Sequence, residues 1–185
     1  AYPVIMDPTI SWDFTTSSEY TFSDPAKIEV AGGVLRLVNN AGTYATDNPY
    51  AVINNPVTYI TLSGFTETLG ANNQGSVQYQ LSKDGTSWYY WNGSTWAVGT
   101  TYAQSNTAAV INTNISSFAI QFGTGNLYFK IYLHAPASST PVELDSFNAT
   151  YTALTVSSVS PNAGSIAGGT SVTITGTNFV GVIEN

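Results

Sequence analysis

Polar and apolar residues alternate at period two along much of this chain. Val77, Tyr79 and Leu81 alternate with Gln78, Gln80 and Ser82, and Leu127, Phe129, Ile131 and Leu133 alternate with Tyr128, Lys130, Tyr132 and His134. In a β-strand this pattern sends one set to a core face and the other to the opposite face. Further strands are predicted at 28–30, 34–38, 57–68, 88–91, 96–98, 118–122 and 142–152, with two more at 154–159 and 170–175. Gly32-Gly33, Asp84-Gly85 and Asn92-Gly93 mark hairpin turns, where a residue at positive φ is needed. No helix is predicted. Many strands joined by Gly and Asn turns give an all-β expectation, an antiparallel sandwich.

Composition narrows the class. Of 185 residues, 8% are charged, against about 25% in an ordinary globular chain. Hydroxyl and amide groups must therefore carry solubility, as in secreted bacterial β-proteins. A hydrophobic share of 43% with 13% aromatic residues supplies a core and excludes a disordered chain. The net charge is −7 and the basic residues are Lys27, Arg36, Lys83 and Lys130. Such a surface cannot neutralise a row of phosphates, so nucleic acid is excluded as a partner. An anionic membrane surface repels it, and no run approaches the roughly 20 apolar residues of a membrane helix. Cysteine is absent, which removes disulfides and thiolate chemistry. The chain starts at Ala1 with no charged-then-apolar leader, as after cleavage of a signal peptide or excision from a longer chain.

Two resemblances organise the chain. Near the C-terminus, Ser160, Pro161, Gly164, Gly168, Gly169, Thr170, Val172, Ile174, Gly176 and Phe179 fall in the pattern of a TIG/IPT immunoglobulin-like domain. The stretch resembles only the opening third of such a domain. An immunoglobulin-like sandwich needs roughly 100 residues and seven strands. The expectation is a piece of a longer surface protein, or a subunit completed by strands of a neighbour. Residues 11–152 resemble a jelly-roll module of bacterial surface and secreted proteins. The resemblance rests on Ser11-Trp12-Asp13-Phe14, Tyr20-Thr21-Phe22, Lys27–Val30 with Gly32–Leu37, Val77–Ser82, Trp88–Trp91 and Val142–Asp145. The strand ending at Thr152 is also similar to the last strand of jelly-roll carbohydrate-binding modules. The organisation expected is an extended arm over 1–10, a jelly-roll β-sandwich over 11–153, and an incomplete TIG/IPT-like segment over 154–185.

Several constellations are candidates for function. Trp88, Tyr89, Tyr90, Trp91 and Trp96 are the densest aromatic cluster. Exposed rings stack on the C–H faces of sugars, whereas buried ones fill a core or pair across strands. Tyr128, Lys130, Tyr132 and His134 share one face, and Gln78 and Gln80 offer amides beside it. The candidate ligand-binding set is Trp88, Tyr90, Trp96, Tyr128, Lys130, Tyr132, Gln78 and Gln80; an ordinary solvated sheet face or a subunit interface is the competing reading. Asp13, Glu143 and Asp145 are the candidate calcium ligands, because calcium takes six to eight oxygens and first and last strands of jelly rolls often run side by side. No cofactor is required. Ser82–Trp88 resembles the Asp-box of sialidase-type propellers and reads as a hairpin turn held by Asp84. His134 is the single histidine and lacks a nucleophile motif, so no enzyme is expected. Asn92, Asn114 and Asn148 begin glycosylation triplets of the kind an Asn- and Thr-rich chain contains by chance.

These readings converge on a non-catalytic extracellular module of a bacterial surface protein, acting in adhesion or surface assembly. Its partner would be a glycan or a protein, held by stacking and hydrogen bonds with little salt dependence. Alternatives are a carbohydrate-binding module of a secreted hydrolase, and a filament subunit completed by strands of a neighbouring copy.

Overall fold

A computed structural model describes residues 8–38, 48–137 and 140–179. Its strands are β1 (Thr9–Asp13), β2 (Tyr20–Phe22), β3 (Ile28–Ala31), β4 (Val34–Leu37), β5 (Tyr50–Ile53), β6 (Val57–Tyr59) and β7 (Thr61–Leu69). They continue with β8 (Ser76–Ser82), β9 (Tyr89–Trp91), β10 (Trp96–Val98), β11 (Gly125–His134) and β12 (Glu143–Thr152). One helix, α1 (Ala108–Phe122), separates β10 from β11, and β13 (Thr155–Ser160) and β14 (Thr173–Thr177) follow β12.

Strands β1 to β12 form two antiparallel sheets that face each other. In the smaller, β12 is central, with β7 along one edge, β1 and β4 along the other, and β3 outside β4. In the larger, the order is β10-β9-β8-β11-β5-β2, with β6 also on β11. The alternation read from the sequence puts its apolar set between the sheets: Leu127, Phe129, Ile131 and Leu133 are all fully buried. Rings from both sheets meet there. Trp12 stacks on Phe147 at 4.9 Å, and Phe129 meets Trp12 and Phe65 at 5.4 and 5.2 Å. Burying each such side chain contributes about 1.5–3 kcal/mol.

Local chemistry fixes the turns. Gly32 and Gly33 both sit at positive φ, 66° and 81°, closing the two-residue β3–β4 hairpin. Two φ > 0 residues let the turn follow the twist of its strands. In the Ser82–Trp88 turn, Asp84 Oδ1 accepts from the Thr86 and Ser87 N–H groups at 2.8 and 2.7 Å. Those bonds hold the Asp84 carboxyl well below the usual carboxylate range.

Three expectations change. First, 118–122 is not a strand but the end of α1, and a helix exists where none was predicted. The helix is rich in β-branched residues, Asn and Ser, which are weak helix formers. Its stability comes from packing: Ile111, Ile115 and Phe118 form one buried stripe, and Gly123 ends it at φ 72°. The helix also closes one side of the sandwich. Asn112 Oδ1 accepts from Phe65 N on the free edge of β7 at 2.9 Å. Gln121 accepts from Trp96 N at 3.0 Å and donates to Trp96 O at 2.8 Å on the outer edge of β10. Amides of one helix thus occupy unpaired edge groups in both sheets.

Second, the run 57–68 is two strands, not one. The chain leaves the larger sheet after Tyr59 and enters the smaller at Thr61, with Ile60 N bonded to Thr152 O at 2.7 Å. Third, the predicted N-terminal arm ends earlier than residue 10. Thr9 and Ile10 pair with Thr150 and Ala149 in β1, while residues 1–7 of the arm lie outside the described residues.

Taken by itself, the C-terminal segment is a hairpin of β13 and β14. Its apolar side chains are exposed, Val156 and Ile174 each by 55%. An isolated two-stranded ribbon is marginal in water.

Candidate ligand-binding face

Apart from Trp96, the candidate residues fall on the outer face of the larger sheet, away from the sheet–sheet core. Strand parity decides this. On β11, Tyr128, Lys130, Tyr132 and His134 point opposite to Phe129, and on β8 the register pairs Lys130 with Gln80 and Tyr132 with Gln78. The predicted solvated face is instead covered over half its length. The segment after β10, Gly99 to Asn106, folds back over β8. Gln80 donates to the carbonyls of Gln104 and Thr101 at 2.7 and 3.3 Å and is fully buried. Gln78 donates to Tyr102 Oη at 3.1 Å and accepts from Ser105 Oγ at 2.8 Å. Tyr132 is 3% exposed, its hydroxyl donating to Gln80 Oε1 at 3.3 Å. Burial, and secondarily Tyr50, push its phenol up to about 12. Tyr102 stacks on His134 at 4.7 Å, and Asn48 meets His134 Nδ1 at 2.6 Å. The amides and phenol proposed for a ligand are thus engaged in holding this segment down, because a buried amide must be paired.

The aromatic cluster divides as parity requires. Tyr89 and Trp91 turn inward, packing on Phe122 at 4.4 Å and on Trp96 at 5.9 Å. Trp96 is 2% exposed, stacks edge-on against Phe118 and donates to Ser117 Oγ at 3.0 Å. Trp96 therefore belongs to the interior under α1 and does not join Trp88 on the outer face. Trp88 points outward but is itself buried, 9% exposed, under Lys130, and Tyr90, half-buried, flanks Gly99 on that side.

What remains open centres on Lys130. Its ammonium sits 4.5 Å from the Trp88 ring, 4.9 Å from Tyr50 and 6.0 Å from Tyr132. The residue is 8% exposed, and burial lowers its amine to about 8. Among the described residues no carboxylate pairs with it; the ion pairs seen are Lys27–Asp24 and Arg36–Glu29. Two clefts meet at Trp88 and Lys130. One, about 390 Å³, is walled by Tyr50, Phe22, Thr21 and Ser23; the other, about 360 Å³, by Thr86, Ser87, Val98 and Thr100. Both fall in the size range of small-ligand sites. Tyr128 borders the same region, its ring 3.4 Å from the position a Cβ on Gly85 would take.

Tyr50 is the contributor that sequence reasoning missed. Tyr50-Ala51-Val52-Ile53 carries the same alternation as the strands that were found, with Ala51 and Ile53 inward and Tyr50 outward. That alternation, bounded by Asn48-Pro49 and by Asn54-Asn55-Pro56, is the signal that marks it.

The candidate calcium ligands are not brought into one set. Asp13 Oδ1 accepts from Thr15 N and Oγ1 at 3.1 and 2.7 Å, which lowers its carboxyl. Glu143 holds Asn72, and Asp145 is the extra residue of a β-bulge between Leu144 and Ser146. Among the described residues no group of three or more histidine or acidic side chains is placed to hold a metal ion. Glu143 and Asp145 do share a separate groove of about 480 Å³ with Arg36.

Comparison with known proteins bears on the C-terminal segment. The family model of the IPT/TIG domain matches residues 154–185. The match lies where the turn and Gly-Gly-Thr pattern placed it, and residues 180–185 lie outside the described residues. No curated protein and no solved structure matches the chain.

Proposed function

We propose that this chain is a non-catalytic extracellular module of a bacterial surface protein, acting in adhesion, and that it binds a glycan on the outer face of its larger sheet. The observation that carries this is the pair of clefts joined at Trp88 and Lys130, with Trp88 and Tyr50 as aromatic walls and threonine and serine hydroxyls at the rims. Aromatic faces and short hydroxyls are what the apolar and polar sides of a sugar require. The IPT/TIG match after β12 supports a surface location, since such domains commonly occur in extracellular proteins. Repeated passage of the chain between the two sheets supports reading the sandwich as a jelly roll.

A glycan array probed with the whole chain tests the proposal. Binding that is lost in Trp88→Ala and Tyr50→Ala, with far-UV circular dichroism unchanged, is expected; a blank array removes the glycan reading.

A further inference from the structure

We infer that the junction of the two clefts is an anion subsite, and that the glycan it serves carries an acidic sugar whose carboxylate or sulfate meets Lys130 Nζ. The inference rests on the glycan reading and narrows it to a chemical class.

Three observations carry it. Lys130 is nearly buried, yet among the described residues it has neither a carboxylate nor a hydrogen-bond acceptor. Its Nζ is not among the fully buried unpaired polar atoms, so the ammonium reaches solvent through the clefts, where a ligand anion can take the place of water. Aromatic faces of Trp88 and Tyr50 attract the ammonium but leave the three N–H donors unspent. Finally, the ammonium lies where two open clefts converge, so a ligand bridging them passes over it. The amine, lowered to about 8 by burial, still carries its charge at neutral pH.

The rest of the chain limits the ligand. A net charge of −7 repels densely charged polyanions at long range. A sugar chain with one acid at the junction and neutral residues in the flanking clefts suits both the local cation and the global field. One contact of this kind gives at most a shallow dependence of affinity on salt.

The test is an array of matched pairs probed with the full chain: uronate oligosaccharides beside their methyl esters, and sulfated oligosaccharides beside their unsulfated forms. A charge-assisted hydrogen bond predicts a preference of about ten-fold for the anionic member. Lys130→Met, which keeps the length of the stem, is expected to bring the two members of each pair to within about two-fold of one another, and an undiminished anionic preference in that variant overturns the assignment to Lys130. Preference for the uronate or for the sulfate identifies which anion is read. Equal binding of both members of every pair overturns the anion subsite and leaves the glycan face standing. No binding by any member overturns both. The comparison within pairs uses the unaltered protein, so it holds even if the variant fails to fold.

Discussion

β11 is shielded on both faces, but by different means. Its inner face is covered by the opposite sheet through Leu127, Phe129, Ile131 and Leu133, with no polar atom to satisfy. Its outer face is covered by the Gly99–Asn106 segment, which needs a paired amide or hydroxyl at each step. Where that segment stops, Lys130 is left with aromatic rings alone. The comparison teaches that the inner face serves stability, whereas the outer face spends stability on a polar arrangement with an unfinished centre.

The difference is open to measurement. Phe129→Ala is expected to cost about 3–5 kcal/mol in urea unfolding, since a large ring leaves a cavity between two sheets; a loss below 1 kcal/mol would mean that the layers do not interlock as described. Gln80→Leu removes the donor to Gln104 and Thr101 and should cost about 1–3 kcal/mol through the two carbonyls left bare. Retention of full stability would show that the covering segment is held by something else.

Lys130→Met is expected to leave stability unchanged or raise it by about 1 kcal/mol, because a buried unpaired charge is exchanged for a thioether. The pH dependence sharpens this. The folded amine titrates at about 8, below the unfolded value of about 10.4. Between those values the unfolded chain holds the extra proton, so the wild type gains stability as pH rises and the charged amine costs stability below about 8. The variant lacks that gain, and parallel curves for the two proteins would refute the desolvated amine. Tyr132→Phe, which takes the donor from the buried Gln80 Oε1, should cost about 1 kcal/mol; a loss beyond about 3 kcal/mol would make the phenol a central strut.

The strands of both long alternating runs were legible because parity is local: each residue's side is fixed by its neighbours along the chain. The turn at Asp84 was legible for the same reason, its bonds reaching only two and three residues. Helix α1 was harder to read. Its composition argues against a helix, while the stripe of Ile111, Ile115 and Phe118 and the stop at Gly123 argue for one. What outweighs the composition is burial of that stripe beneath Trp96 and Tyr89, together with the two sheet edges it closes.

From its residues alone, this chain determined an all-β body, the inward and outward sets of its longer strands, the positions of its hairpins, and the IPT/TIG pattern after Ala153. Those features depend on period two, on positive-φ glycines, and on motif spacing, all of which operate within a few residues. Only the tertiary structure decided that Trp96 turns inward, that Gln80 and Tyr132 are consumed by a covering segment, and that Lys130 is enclosed by Trp88, Tyr50 and Tyr132. Those outcomes depend on which distant segments lie over a given face, and the long-range packing that brings Tyr50 to Lys130 leaves no local trace in either stretch of sequence.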